Sequence, residues 1–240
     1  MGNENGEWIM HGVADNDPRR IKSPEELTAF VDEIGFLPLF KNSVDGFSVE
    51  ERTAARFWWS DDAANDPWEW RKVLASEGKV AYGKFFGGKA GFISLRWLPY
   101  FANFRRDGYD FDSRWSDGLA NARENSIMEL FERSRELYSF EIKRLAGFGK
   151  GGAKNFEGTL TALQDKLYLV VRDFRQRMNR EGVPYGWGIA VYATPESVWG
   201  RDAVASAYIE APEKSRERVF AHLRQLFPNA TEKQISDMLK

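Results

Sequence analysis

The chain contains no cysteine and only two histidines, His11 and His222, far apart in sequence. Disulfides, thiolate nucleophiles and cysteine-based zinc sites are thereby excluded, as is a histidine metal cluster. No apolar run approaches the length of a membrane span. The N-terminal stretch MGNENGEWIMHGVADNDPRR lacks the apolar segment of a signal peptide. Internal repeats and low-complexity tracts are missing too. These absences lead to the expectation of a cytoplasmic protein with no metal, no cofactor and no membrane contact.

What is present suits a folded domain. Hydrophobic residues make up 42% of the 240 positions and charged residues 29%, the balance of a globular chain. Aromatics reach 15%, with nine Trp and eighteen Phe, and each of these side chains brings a large apolar area to a core. The net charge of -2 conceals an uneven distribution. Between Glu141 and Arg180 there are nine Lys/Arg against four Asp/Glu, which leaves the remainder acidic. A basic patch on an acidic body is an electrostatic footprint for polyanions.

Residues 1–22 are polar and rich in Gly, Asn and Asp, and are expected to be disordered. Ser23-Pro24-Glu25-Glu26 then supplies an N-cap, a first-turn proline and a capping glutamate. Leu27, Phe30, Val31 and Ile34 follow at helical spacing up to Gly35. Asp66-Pro67-Trp68-Glu69 opens a second helix that runs to about Gly78. Two apolar-aromatic runs around Gly87-Gly88 predict a β-hairpin over residues 80–95. Trp97 to Arg105 reads as a short helix disturbed by Pro99. A domain boundary is placed in the polar loop Arg106 to Arg114. Residues 23–110 thus form a helical, hairpin-containing N-terminal region.

The second half has a clear order of elements. A helix is expected from Ser116 to Glu136, and a shorter one capped by Ser139 and ended by Gly147. A glycine-rich loop, residues 149–152, precedes a third helix, with Phe156, Leu160, Leu163 and Leu167 on one face. An extended stretch begins at Leu167. After a charged loop, Tyr185, Trp187, Ile189 and Val191 alternate as a half-buried strand. Three helices followed by a hairpin with a basic loop is the winged-helix plan, here over residues 115–192. Residues 194–240 return to helices, which can pack on the core, form a homodimer or meet a protein partner. The fold class expected is α+β, mostly helical.

If the third helix enters a major groove, Lys154, Gly158, Thr161, Ala162 and Asp165 lie opposite its buried stripe. Thr161 could then reach a base edge, while Asp165 argues against deep insertion of the last turn. Lys150 and Lys154 suit phosphates beside the helix start. Arg172, Arg175, Arg177 and Arg180 of the wing suit phosphate or minor-groove contacts. Double-stranded DNA is the partner this pattern favours. A protein-docking role for the same surface is the bland alternative.

Two constellations hint at catalysis. Gly83 to Ala90 nearly spells a phosphate loop, but Ala90 replaces the magnesium-holding hydroxyl, and a strand rather than a helix follows. Nucleotide hydrolysis is rejected. Asp61, Asp62 and Asp66 beside Trp58, Trp59, Trp68 and Trp70 form the most enzyme-like group, since carboxylates can activate water and aromatic walls can stack a base. Asp61 and Asp62 are the catalytic candidates. Arg96-Trp97, Tyr100, Phe101, Phe104, Arg105 and Arg106 interleave base and aromatic, a pattern compatible with single strands or with an amphipathic core helix.

Three segments carry a family resemblance: Asp66-Pro67-Trp68-Glu69-Trp70, the hairpin Lys84 to Ser94, and Pro184-Tyr185-Gly186-Trp187. Together they resemble the shorter, AlkZ-related winged-helix relatives of bacterial AlkZ interstrand-crosslink DNA glycosylases. The resemblance spans about residues 25 to 192. It implies a winged-helix fold and association with DNA. The larger enzymes use a Gln-x-Gln or Gln-x-Asp motif to position water. Here Gln164 belongs to the third helix and Gln176 is followed two residues on by Met178, so no catalytic residue carries over. The resulting expectation is a non-enzymatic winged-helix DNA-binding protein, with a DNA glycosylase-like repair enzyme as the alternative.

Overall fold

The computed structural model describes residues 10–239. Residues 1–9 of the segment expected to be disordered lie outside the described residues. The remainder of that segment is anchored: Val13 N donates to Thr53 O (2.9 Å), Ile21 N donates to Arg52 O (2.7 Å), and Ile21 is buried. Backbone bonds do the holding, which is why a polar composition did not reveal it.

Helix α1 (Pro24–Ile34) starts at Ser23, whose hydroxyl accepts the Glu26 N–H at 3.2 Å, and it buries Leu27, Val31 and Ile34. Gly35, at φ 92°, ends the helix in a conformation that favours glycine, and the short strand β1 (Phe36–Pro38) follows. Helix α2 (Pro67–Glu77) is capped by Asp66, which accepts the Trp68 N–H at 2.8 Å. The hairpin β2 (Val80–Phe86) and β3 (Lys89–Ser94) is closed by Gly87 and Gly88, both at positive φ. A two-residue turn of that kind matches the twist of its strands. Strand β3 lies between β1 and β2, with Phe36 opposite Ile93 and Tyr82 opposite Phe92.

Helix α3 (Leu98–Arg106) is undisturbed by Pro99, because the proline sits in the first turn, where no N–H partner is needed. Helix α4 (Phe111–Ser116) and helix α5 (Ala122–Met128) follow. The single helix expected from Ser116 to Glu136 does not form. Gly118, at φ 72°, breaks the chain. Asn121 and Glu124 then start α5 anew with a reciprocal capping box. A 3₁₀ turn (Glu129–Glu132) ends this stretch, and β4 (Glu136–Tyr138) follows.

Next come α6 (Ser139–Leu145), α7 (Phe156–Asp165), β5 (Val170–Met178) and β6 (Pro184–Ala193). Ser139 is the first residue of α6 rather than its cap. The cap position is Tyr138, whose N–H donates to Glu141 Oε2 at 3.0 Å. The second sheet has the order β4-β6-β5, all antiparallel, with irregular register at Val171/Asp173 and Arg175/Arg177. The alternation expected along β6 is not observed: Val191, Tyr192 and Ala193 are buried in succession, whereas Tyr185 and Trp187 face solvent. Beyond Gly188 the hairpin runs past the core, so nothing covers those rings. With about 47% helix and two small antiparallel sheets, the chain is α+β.

The C-terminal helices α8 (Pro195–Trp199), α9 (Arg201–Ala205), α10 (Pro212–Leu226) and α11 (Glu232–Met238) pack on the core. Val219, Phe220 and Leu223 of α10 are buried against the N-terminal region, and the His222 ring stacks on Trp97 at 4.2 Å. Asn103 fixes this arrangement. Its side chain is fully buried, and Nδ2 donates toward Ala207 O (3.0 Å), Glu210 O (3.1 Å) and Ser215 Oγ (3.0 Å). Replacement by Ala strands buried acceptors, each costing roughly 1–3 kcal/mol. With a net loss of about 2 kcal/mol, and roughly 2–4 °C per kcal/mol for a chain of this size, Asn103→Ala is expected to lower the melting temperature by about 4–8 °C, measured by calorimetry. A shift under a degree would show that the contact contributes nothing.

Candidate nucleic-acid interface

The sequence places Thr161 on the open face of α7, but that face is partly covered. The β2–β3 hairpin lies across it: Lys84 Nζ donates to Thr161 Oγ1 (3.3 Å) and Lys84 N donates to Gln164 Oε1 (3.2 Å). A side chain at Gly88 would meet Thr161 Cγ2 at 3.3 Å. Asp165 is paired with Arg105 at 2.9 Å. Burial raises the affinity of Asp165 for a proton, and Arg105 opposes this. The buried stripe itself is as expected, with Phe156, Leu160 and Leu163 inside, and Leu167 buried just beyond the helix. Only the first turn, around Glu157 and Gly158, remains exposed.

The arginines expected in the wing divide into two kinds on the β5–β6 hairpin. Arg172 donates to Ala75 O (2.8 Å) and Ser76 O (2.5 Å), the open carbonyls at the end of α2, and so acts as a helix cap. Arg175 is clamped by Glu136 and Asp173. The hydrogen bonds it donates to those carboxylates hold its guanidinium firmly charged but leave little net field outside. Arg177 lies 4.5 Å over the Phe140 ring, and Arg180 is exposed in the loop. Lys150 and Lys154 are exposed before α7, and Lys154 O accepts from Arg123 Nη1 at 3.4 Å.

These contacts link a surface that the sequence reading had only partly named. Arg177 touches α6 through Phe140. On α6, Ile142 faces the core while Lys143 and Arg144 face solvent. Lys143 Nζ sits 5.7 Å over Phe156 at the start of α7, and Phe156 packs edge-on against Phe148 of the glycine-rich loop at 5.3 Å. Arg123 of α5 closes the series through Lys154. Among the described residues, Arg123, Lys143, Arg144, Lys150, Lys154, Arg177 and Arg180 are exposed and none is in an ion pair with a carboxylate. Lys143 and Arg144 were discoverable. They lie opposite Ile142 on a helix within the basic stretch already counted.

The enzyme-like group is mostly core. Trp58 Nε1 donates to Thr53 Oγ1 (2.9 Å) and Trp70 Nε1 donates to Ala64 O (2.7 Å). Arg71 is buried between the rings of Trp68 (3.7 Å) and Phe174 (4.2 Å), and burial pushes its guanidinium pKa down. Burial likewise pushes Tyr82 up to about 12 and raises the Asp66 pKa. Asp61 and Asp62 are both exposed, and Asp62 is occupied with Asn65, accepting from its Nδ2 at 2.7 Å. Among the described residues, no convergent group surrounds these two carboxylates. Gln164 is consumed as well: its Nε2 donates to Leu160 O at 3.2 Å.

The described helices include none long and apolar enough to cross a membrane. The geometry defines an α+β chain with two small sheets and a set of exposed cations, unpaired with carboxylates among the described residues, on α5, α6, the glycine-rich loop and the β5–β6 hairpin. A family model described as AlkZ related matches residues 21–240. The chain belongs to the AlkZ-related family, which relates it to proteins of DNA repair. Searches of curated proteins and of solved structures each found no match.

The separation of the β5–β6 arginines can be checked directly. Arg172→Ala removes a cap from α2 and is expected to cost about 1–2 kcal/mol of stability, read from denaturant unfolding. The salt dependence of DNA binding by the folded variant should stay unchanged. A lowered salt slope at unaltered stability would place Arg172 at the interface instead.

Proposed function

We propose that the chain is a double-stranded-DNA-binding protein of winged-helix architecture, and that it binds through α6, the glycine-rich loop and the wing rather than through the middle of α7. The order helix, strand, helix, helix, strand, strand over residues 122–193, with β6 between β4 and β5, supports the winged-helix reading. The observation that carries the function is the run of exposed cations from Arg123 to Arg180, none of them neutralised by a carboxylate among the described residues. Such a surface suits a phosphate backbone, which rewards each neutralised phosphate with released counterions. Family membership favours DNA over other polyanions.

The wing adds a different kind of contact. Trp187 is 90% exposed on β6, with Tyr185, Val183 and Met178 exposed beside it. An aromatic tip on a basic hairpin suits a groove, where the ring can lie against sugars or bases. No hydrolytic step is assigned. Asp61 and Asp62 stand in solvent with no partner group among the described residues that could complete an active site, and the glutamine motif of the larger AlkZ enzymes has no counterpart in the sequence.

The test is fluorescence anisotropy of a labelled duplex at several salt concentrations. Binding should weaken steeply with salt. The double variant Lys150→Ala/Lys154→Ala should flatten the log-log salt slope by about 2, and Lys143→Ala/Arg144→Ala by a similar amount. Trp187→Ala should weaken binding by about 1–3 kcal/mol with the slope unchanged. No binding at low salt would overturn the proposal and turn the same surface into a protein-docking face.

A further inference from the structure

The β5–β6 hairpin leaves Met178, Val183, Tyr185 and Trp187 in water, the last of them 90% exposed. The tip that carries them is nevertheless ordered by its own bonds. Asn179 Oδ1 accepts the N–H groups of Glu181 and Val183, both at 2.9 Å, and Gln176 Nε2 donates to Gly186 O at 2.6 Å. Large apolar groups exposed together mark a contact surface, and a built turn that holds them in place lowers the cost of binding.

A second set of flat groups lies beside the hairpin at the start of α6. The rings of Tyr138 and Phe140 stack at 5.2 Å with an interplanar angle of 29°. The Arg177 guanidinium lies 4.5 Å over the Phe140 ring, which joins two rings and a guanidinium in one series. Tyr185 is the cross-strand partner of Arg177, and directly opposed residues share a face of the sheet. Tyr185 therefore carries the series on toward the tip. Phe140 and Tyr185 are both exposed. The two carboxylates in the strands of this sheet, Glu136 and Asp173, are taken by Arg175, so the charge of Arg177 is left open.

Flat apolar faces beside unpaired cations suit nucleobases and their phosphates. In an intact duplex the bases cover one another, and a protein that reaches their faces must first unstack them. That cost is least where a base is already unpaired. The exposed cations of α6 and the glycine-rich loop need only phosphates, which paired DNA offers along its whole length. The two kinds of contact together suit DNA that is paired on one side and unpaired on the other.

We propose that the series Tyr138, Phe140, Arg177 and Tyr185, with the hairpin tip, holds an unpaired stretch of one DNA strand, so that the preferred partner is a duplex interrupted by a short single-stranded gap. This rests on the DNA-binding reading above and adds to it the structure of the DNA. The rings stack on bases in the gap, and the cations hold the flanking duplex by its phosphates. No bond is made or broken. The test compares, by fluorescence anisotropy with the full chain, a gapped duplex and the same duplex with the gap filled. The gapped form is expected to bind about tenfold tighter, an effect that stacking of a single base can supply. Tyr185→Ala and Phe140→Ala each remove an exposed ring. Each should keep the native melting temperature, the affinity for the filled duplex and its salt slope, while losing the preference for the gap. Tyr185→Phe keeps the ring and should keep the preference. Equal binding of gapped and filled duplexes by the native chain would overturn this proposal and leave the DNA-binding reading standing, whereas binding to neither would overturn both. An undiminished preference in the folded Ala variants would also overturn it, and if those variants lost binding to anionic phospholipid vesicles instead, the rings would belong to a membrane surface.

Discussion

Two consecutive arginines at the end of α3 hold the two halves of the molecule together. Arg105 reaches Phe85 O at 3.0 Å and pairs with Asp165, while Arg106 reaches Leu167 O and Glu196. Both are buried deeply enough that desolvation opposes their charge. A buried charge is tolerated only where partners compensate it, and loss of one partner costs several kcal/mol. The partners here lie on β2, on α7, on the turn after α7 and on α8. They keep the hairpin pressed against α7, and everything on the outer surface follows from that. The middle of α7 is largely covered, which leaves α6, the glycine-rich loop, the first turn of α7 and the β5–β6 hairpin as the open parts of this face.

Local chemistry made most elements readable in advance. The Ser23 and Asp66 caps, the Gly87-Gly88 turn and the apolar stripe of α7 depend on residues close in sequence, and each stands where the spacing put it. The failures involve distant partners. Strand β4 exists because Leu137 finds Tyr192 on β6, some fifty residues on, and no helical or alternating pattern announces that pairing. Thr161 looked exposed because a helical wheel shows which face is less apolar, not what another segment lays over it. The interleaved stretch from Arg96 to Arg106 divides in the same way, with Phe101 in the core and Arg105 and Arg106 in the seam. Sequence chemistry alone cannot distinguish a cation that meets a phosphate from one that meets a carbonyl.

That distinction decides how the basic segment is understood. Of the nine cations between Glu141 and Arg180, Arg172 and Arg175 are used internally, and Lys166 pairs with the buried Glu124 at 2.5 Å. Those that remain lie along α6, the glycine-rich loop and the β5–β6 hairpin. A count of charges thus overstates the field, while position concentrates what is left on one surface. Exposed pairs are worth little for stability, so nothing in the fold itself requires the unpaired lysines and arginines to cluster there.

The acidic remainder of the chain is arranged just as unevenly. Asp112, Glu129 and Glu132 lie on the short elements between α4 and β4, the stretch where the long helix expected from sequence is broken. Had that helix formed, Gly118 and the Asn121 cap would be interior positions, and the cleft of about 530 Å³ that these carboxylates border with Arg106 would not open. The break is written in local residues, whereas the cleft it creates depends on the buried Arg106 that anchors the opposite wall. The seam that closes the face of α7 therefore also shapes the cleft on the acidic side, and the two surfaces owe their opposite charge to different ends of the same constraint.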